Sequence, residues 1–267
     1  IYNLVDKLKL ELYTEVINWE EMKNFQLAMF KSGVPGIDLP QDLAFIGVLY
    51  KFAAKYNIKT ILNGGNISTE CVPTPKIYHY FGTDLVYVKD ILKKHGTLKM
   101  QSYPFTSALY NKLWLRYFRN VKVLKPLNYI PYIKEDAMQE LKKLYDWTPY
   151  PQKHFESRFT RFYEGHWLIS RFNYDMRKRE YSSLILTKQM SRDDALIKLK
   201  KPALEANMIK QELEYVANKL DISQDELNSY HKMEKKFYWN YKNQEWLYNL
   251  GEKVLGYMTG TRRGGAL

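Results

Sequence analysis

The chain has 267 residues, of which 45% are apolar and 26% charged, so it can bury a sizeable core and is not disordered as a whole. Its formal net charge of +12 favours polyanionic partners, namely nucleic acid, anionic lipid or phosphorylated metabolites. The apolar runs are too short to cross a bilayer, which takes about 20 residues. The chain has one cysteine, Cys71, which excludes a disulfide framework, so a reducing, cytoplasmic setting is expected.

Strand and helix patterns alternate in the first half of the chain. This alternation predicts a parallel sheet with covered faces. The predicted elements are a strand at 10–17, a helix at 19–31 capped by Asn18 and ended by Gly33, a helix from Asp38 to about residue 56, a strand at 58–63, a helix at 84–95, a helix at 106–119 and an extended segment at 121–130.

Helical patterns dominate from residue 133 onward. Two capping boxes begin at Ser191 and Ser223. The sequence therefore predicts an α/β fold with a mainly helical C-terminal region, divided into residues 1–150 and 151–267, and a frayed tail at 259–267.

A pair of glycines, Gly64 and Gly65, follows the strand at 58–63. Ligands bind outside the carboxyl edge of open α/β sheets, and glycines let the backbone approach them closely. Asn66 and Glu70 could then contact a ribose, a base or a metal. An ordinary turn is the alternative interpretation.

A carboxylate at Asp42 lies in the first turn of its predicted helix. There it either interacts favourably with the helix dipole, which is a structural role, or binds a ligand.

The densest cluster of polar side chains begins at Lys153. On a helix, His154, Arg158 and Arg161 would form one basic stripe, while Phe155, Phe159 and Phe162 would face the core. Arginine binds phosphate bidentately, histidine can supply a proton, and hydroxyls complete such a site. A solvated basic face is the alternative. The candidate substrate-binding residues are Lys153, His154, Glu156, Ser157, Thr160, Arg161, Asp175, Arg177 and Ser182.

Twelve segments of the sequence, in this order, form one pattern: Ile17–Gln26, Gly33-Val-Pro35, Pro40-Gln-Asp42, Ile61-Leu-Asn-Gly64-Gly-Asn66, Leu127–Ile130, Trp147, Tyr150, Lys153-His-x-Glu156-Ser157, Thr160-Arg-Phe162, Asp175-x-Arg177, Ser182–Ile185 and Ser191-Arg192. Together they resemble the N-acetyl sugar amidotransferases, over roughly residues 1–219.

The resemblance implies a fold and an activity. The family belongs to the PP-loop ATP pyrophosphatases, with an adenine-nucleotide α-hydrolase-like sheet. Its members convert an acetamido group of a nucleotide-linked sugar to an acetamidino group, for lipopolysaccharide or a related glycan. ATP and Mg²⁺ are the implied cofactors, and glutaminase-like and cyclase-like subunits the implied ammonia source. Activation of the amide oxygen by ATP, followed by displacement of AMP by ammonia, fits this chemistry.

The sequence departs from the family at its start. The family's Ser-Gly-Gly-x-Asp-Ser loop and Cys-x-x-Cys zinc site do not occur, so an upstream segment carrying both is expected, and zinc is expected only there. Within this chain we predict Asp42 and Glu70 as catalytic carboxylates and Gly64, Gly65 and Asn66 as nucleotide-binding residues, with no metal site. Whether the chain forms a homo-oligomer is left open.

Two other classes of protein remain as alternatives. A tRNA-modifying PP-loop enzyme would share the fold and the charge. A basic nucleic-acid-binding module would share the charge and the many tyrosines, but no recognised nucleic-acid motif is present, so we expect no nucleic-acid partner.

Overall fold

The computed structural model describes residues 2–259, apart from the side chains of residues 255, 258 and 259. About 60% of it is helical. The α-helices are α1 (Tyr2–Lys7), α2 (Trp19–Ser32), α3 (Leu39–Lys55), α4 (Ile67–Glu70), α5 (Leu85–His95), α6 (Lys134–Tyr145), α7 (Arg158–Phe162), α8 (Leu168–Phe172), α9 (Met176–Leu186), α10 (Arg192–Lys200), α11 (Ala206–Lys219), α12 (Gln224–Lys232) and α13 (Glu245–Thr259). Two π-helical segments (Leu109–Phe118 and Tyr163–Trp167) and three short 3-10 turns (Lys76–Tyr78, Pro126–Asn128 and Tyr238–Asn240) complete the helical set.

Two compact units divide the chain, and their segments alternate along it. The first unit consists of Ile1–Val16, Thr60–Val72 and Val123–Leu213. The second consists of Ile17–Lys59, Pro73–Lys122 and Glu214–Leu267. Neither unit coincides with residues 1–150 or 151–267. The assignment of 1–150 to a PP-loop ATP pyrophosphatase-like α/β domain and of 151–267 to a helical region for substrate binding or oligomerisation stays a prediction.

The described residues form one two-stranded sheet, from β1 (Thr60–Leu62) and β2 (Lys122–Leu124). The Lys122 N–H donates to the Lys59 carbonyl and the Asn63 N–H donates to the Leu124 carbonyl, each at 2.8 Å. Because the partners advance together along the chain, the strands are parallel. The predicted strand before Gly64 is confirmed, whereas the extended segment at 121–130 shrinks to three strand residues followed by a 3-10 turn.

Helix boundaries in the second unit follow the predicted capping residues. Asn18 accepts the Glu21 N–H at 3.2 Å at the start of α2, and Gly33 ends that helix with a left-handed φ of 74°. Asp84 caps α5 by accepting the N–H groups of Val86 and Tyr87. These side chains satisfy backbone donors that a helix start leaves unpaired.

One predicted element is wrong, and a predicted helix is shorter than expected and of the π type. Residues 10–17 form no strand, and most of their side chains are exposed, because no other strand of the described chain pairs with them. The helix predicted at 106–119 begins at Leu109 and is a π-helix, ending at Phe118. The predicted tail at 259–267 lies outside the described residues, apart from position 259 at the end of α13.

The core of the first unit surrounds a helix that runs from α7 through a π-helical turn into α8. Phe155, Phe162, Trp167 and Leu168 are buried, and Phe159 is half-buried. Of the three phenylalanines predicted to face the core, Phe155 and Phe162 are therefore buried and Phe159 is only half-buried.

Candidate functional site

Helices α4 and α9 pack against each other and fix the glycine loop in the first unit. Ser183, which is fully buried, accepts the Val72 N–H at 3.1 Å, and the Thr187 hydroxyl donates to the Ser68 carbonyl at 2.8 Å. Asn66 is buried and caps α4 by accepting the Thr69 N–H at 2.9 Å. Hydrogen bonds from the side chains of Asn66, Ser183 and Thr187 therefore hold α4 in place directly after the glycine loop.

Gly64 and Gly65 lie between β1 and α4, as predicted. A Cβ at Gly64 would meet nothing within 4 Å, so its backbone borders open space. A Cβ at Gly65 would lie 3.2 Å from a Glu70 carboxylate oxygen and 3.7 Å from the Lys125 side chain. The Gly65 N–H donates to the Asn63 side chain at 2.7 Å. The loop thus has one open position, Gly64, and one position facing a pair of opposite charges.

Glu70 forms an ion pair with Lys153, 83 residues away in the chain. Burial alone would raise the pKa of Glu70, but the Lys153 ammonium and the nearby Arg179 guanidinium hold the pKa below its ordinary value. Lys125 also lies next to Gly65, so three cationic side chains and the Glu70 carboxylate lie at this loop. The site is net positive and suits an anionic ligand.

A histidine–carboxylate pair lies directly beside this cluster in the chain. The His154 Nδ1 and a Glu164 carboxylate oxygen are 3.0 Å apart, with the Glu164 side chain 7% exposed and the His154 side chain 42% exposed. The hydrogen bond to Glu164 raises the pKa of His154, although its partial burial opposes this shift. A buried carboxylate that fixes one ring nitrogen leaves the other free for proton transfer.

Two backbone features accompany the pair. His154 has a left-handed φ of 68°, as do seven other non-glycine residues of the described chain, so this angle does not by itself mark a site. Glu164 lies in the π-helical turn Tyr163–Trp167, and such turns within α-helices are frequent at functional sites. The π-helical turn therefore agrees with a functional role for the pair.

The predicted basic stripe is wrong in its geometry. His154 precedes α7, which begins only at Arg158, so His154 does not share a helix face with Arg161. Arg158 and Arg161 instead both form ion pairs with Glu212, which is buried. These two guanidinium groups are engaged within the protein.

Several other predicted substrate-binding residues make local contacts. Ser157 caps α7 by accepting the Thr160 N–H at 3.3 Å, and Glu156 is exposed. Asp175 caps α9 and forms an ion pair with Arg177, whose Nη1 also donates to the Lys201 carbonyl at 2.9 Å.

The Ser182 hydroxyl donates to the Lys178 carbonyl at 2.6 Å. For this serine, as for Ser157, Asp175 and Arg177, the contacts are structural, and a binding role stays a prediction.

Asp42 belongs to the second unit. It is exposed in the first turn of α3, where its N–H donates to the Asp38 carbonyl at 3.3 Å. It is not among the residues that the first unit brings together.

Glu164, Lys125 and Arg179 are not among the site residues predicted from the sequence. Arg179 follows the predicted Arg177 by two positions in α9, yet Arg177 pairs with Asp175 whereas the charge of Arg179 acts on Glu70. Glu164 follows His154 by ten positions across a left-handed turn and a π-helical turn. No regular spacing relates two residues across such a path.

The described part of the chain holds no group of three or more His, Cys, Asp or Glu side chains arranged for a metal ion. Cys71, the one cysteine, is exposed. Whether this part of the chain takes part in Mg²⁺ binding stays a prediction.

Residues 156–255 match the family model described as "LPS biosynthesis protein WbpG-like, C-terminal domain". This part of the chain contains α7 to α12, most of α13 and the carboxylate Glu164. The match is consistent with the resemblance to the N-acetyl sugar amidotransferases and indicates a role in surface-glycan biosynthesis. Neither the search of curated proteins nor that of solved structures gave a match.

Within residues 2–259, none of the helices has the length and apolar character that a membrane span requires.

Proposed function

We propose that the chain is part of an ATP-dependent amidotransferase that converts an acetamido group of a nucleotide-linked sugar to an acetamidino group. ATP and Mg²⁺ would be used, AMP and pyrophosphate released, and ammonia supplied by glutaminase-like and cyclase-like subunits in the cytoplasm. The proposal joins the family match over 156–255, which concerns lipopolysaccharide biosynthesis, to the residues that resemble this amidotransferase family.

One observation carries the proposal. The glycine loop after β1 and the Lys153-His154 segment, which are far apart in sequence, meet through the Glu70–Lys153 ion pair. Both segments belong to the set that resembles the amidotransferases. Their meeting produces one net-positive site with an oriented histidine beside it, which is what transfer between two phosphate-bearing substrates requires.

The cationic side chains would bind and orient the phosphates. Lys153 and Arg179 already offset the charge of Glu70, and Lys125 lies beside Gly65. Adjacent cations neutralise the negative charge that gathers when the amide oxygen attacks the α-phosphate of ATP. The open backbone at Gly64 gives a ligand room to approach.

His154 would handle the proton of the second step. Ammonia attacks the carbon of the adenylated imidate, the C–O bond breaks with AMP leaving, and the attacking nitrogen must lose a proton. The His154 Nε2 would accept this proton while Glu164 holds Nδ1. The nearby carboxylate stabilises the imidazolium that results.

The reaction itself is the test. The full-length protein is incubated with ATP, Mg²⁺, an ammonium salt and a nucleotide-linked N-acetyl sugar, and the sugar is analysed by mass spectrometry for exchange of oxygen for an NH group. Lys153→Ala should weaken sugar-nucleotide or ATP binding about 10- to 150-fold, because a charge-assisted contact is worth roughly 1.5–3 kcal/mol. Lys142→Ala, an exposed lysine on α6, is the matched control.

If no nucleotide sugar gives the amidino product and the protein binds tRNA tightly in a filter assay, the proposal is wrong and the tRNA-modifying alternative is favoured. Equal activity of the Lys153→Ala and Lys142→Ala variants would remove the glycine-loop cluster from the site.

A further inference from the structure

The π-helix Leu109–Phe118 of the second unit has an uneven burial of its side chains. Only Asn111 and Leu115 are buried in it. The Thr106 hydroxyl donates to the Asn111 side chain at 2.6 Å, and Leu115 is fully buried. Since residues four apart lie on one side of a helix, these two side chains anchor one face and the other faces point away from the core.

Six large apolar side chains occupy the faces opposite and beside this anchor. We call them the aromatic face: Leu109, Tyr110, Leu113, Trp114, Tyr117 and Phe118, which are between 36% and 71% exposed. The rings of Trp114 and Phe118 stack with centroids 4.8 Å apart. A contiguous exposed apolar surface of this kind marks an interaction site.

The stretch of sequence that carries the aromatic face is basic, and residues 91–122 of the second unit contain no Asp or Glu. Lys112 and Arg116 lie on the helix itself, between the aromatic face and the anchor. Arg116 is exposed, whereas the Lys112 ammonium lies 6.0 Å from the centre of the Tyr248 ring, where burial lowers the pKa of Lys112 and Glu252 raises it. The basic residues of this stretch are Lys93, Lys94, Lys99, Lys112, Arg116, Arg119 and Lys122.

We propose that the helix Leu109–Phe118 lies on the surface of an anionic lipid bilayer. Its aromatic face would enter the boundary between headgroups and acyl chains, and Lys112 and Arg116 would contact lipid phosphates. A helix with Trp, Phe and Leu on one side and Lys or Arg beside them, too short to span the bilayer, has the composition of an interfacial helix. The proposal does not depend on the reaction proposed above.

Two other occupants fit the surface less well. Nucleic acid would use the rings and the cations but would gain little from Leu109 and Leu113, which cannot stack on bases. A second copy related by a two-fold axis would bring Lys112 and Arg116 close to their own counterparts, and like charges across an interface are unfavourable.

Vesicle flotation tests the proposal on the full-length protein. Vesicles of phosphatidylcholine alone are compared with vesicles that also contain phosphatidylglycerol, at low and at high salt. The protein should float with the anionic vesicles and much less with the neutral ones, and high salt should weaken its binding.

Two double variants separate the apolar and the electrostatic contributions. Trp114→Ala with Phe118→Ala should weaken vesicle binding about tenfold or more. Lys112→Gln with Arg116→Gln should weaken it about 25-fold, since each basic residue near an anionic surface contributes roughly a fivefold change. All four side chains lie on the surface helix, and circular dichroism verifies that both double variants keep the fold.

The controls are matched to these variants. Phe45→Ala removes a ring from α3 that is 71% exposed, the same fraction as for Phe118, and Lys142→Gln with Lys143→Gln removes two exposed charges from α6. Both controls should float like the wild-type protein. If the full-length protein does not bind anionic vesicles, or if the two double variants of the helix Leu109–Phe118 float as well as the controls, the proposal is wrong.

Two further outcomes would also overturn it. One is a dimer in light scattering that Trp114→Ala with Phe118→Ala dissociates while vesicles are not bound. The second is binding of RNA that the same variants abolish without any vesicle binding.

Discussion

At the scale of single residues, the His154–Glu164 pair makes a prediction about protonation. Glu164→Gln removes the negative charge that raises the pKa of His154, while burial, which lowers the pKa, remains. The pKa of His154 should therefore fall in the variant. Histidine signals followed by NMR from pH 5 to pH 8 measure this, with His154→Gln identifying the resonance among the five histidines.

The sign of the accompanying change in stability is fixed by the same shift. A histidine whose pKa is raised on folding contributes stability that is present below its ordinary value and is lost as pH rises through the raised value. The stability difference between wild type and Glu164→Gln should thus be larger at pH 5.5 than at pH 8. Glu156→Gln is the control, because Glu156 is exposed and acts on His154 only through its charge. If the pKa of His154 changes equally in both variants, Glu164 contributes no more to that pKa than Glu156 does.

At the scale of elements, two helical glycines should respond in opposite directions to alanine. A Cβ at Gly47 in α3 would lie 1.8 Å from the Pro104 carbonyl oxygen, whereas a Cβ at Gly251 in α13 would meet nothing within 4 Å. Gly47→Ala should destabilise the protein by about 1–3 kcal/mol or more, because backbone must move. Gly251→Ala should stabilise it by about 0.5–1 kcal/mol through helix propensity.

Urea unfolding of the two glycine variants measures these free energies. Both substitutions add the same methyl group to a helix of the same unit, so the difference isolates the close approach to Pro104. A neutral or stabilising Gly47→Ala would mean that α3 and residue 104 are further apart than in this structure.

The elements also show what sequence patterns can and cannot reveal. Asn18, Gly33, Asp84, Ser191 and Ser223 act as helix boundaries as predicted, because capping depends on the residue and its immediate neighbours. A strand, by contrast, needs a distant partner. Residues 58–63 find one in β2, and residues 10–17, with an equally apolar pattern, find none among the described strands.

The candidate site likewise combines features that local sequence patterns predict with features that depend on distant contacts. The glycine loop after a parallel strand was predictable from local pattern, since Gly64 and Gly65 directly follow β1. The ion pair of Glu70 with Lys153 and the sharing of Glu212 by Arg158 and Arg161 depend on how the chain returns to itself. Assigning His154 to a regular helix placed it on the wrong face, because a left-handed residue interrupts the periodicity.

At the scale of the whole molecule, the alternation of the two units along the chain predicts how a ligand should change amide exchange. The glycine loop, Lys153, the His154–Glu164 pair and Arg179 all belong to the first unit. A ligand that binds only the folded site slows local opening of the segments that form it. Protection should therefore appear in stretches far apart in sequence, around residues 63–70 and 153–164, and not in α2 or α5 of the second unit.

Hydrogen–deuterium exchange with mass spectrometry, on the full-length protein with and without a nucleotide-linked N-acetyl sugar, makes this measurement. Lys153→Ala should remove the protection in both stretches at once, because its ammonium joins them through Glu70. Lys142→Ala should leave the protection intact. Protection confined to residues 153–164, with residues 63–70 unchanged, would show that the glycine loop takes no part in sugar-nucleotide binding and would restrict the site to the segment after residue 150. Protection spread evenly over α2 and α5 would instead indicate global stabilisation, and the site would then have to be sought outside the first unit.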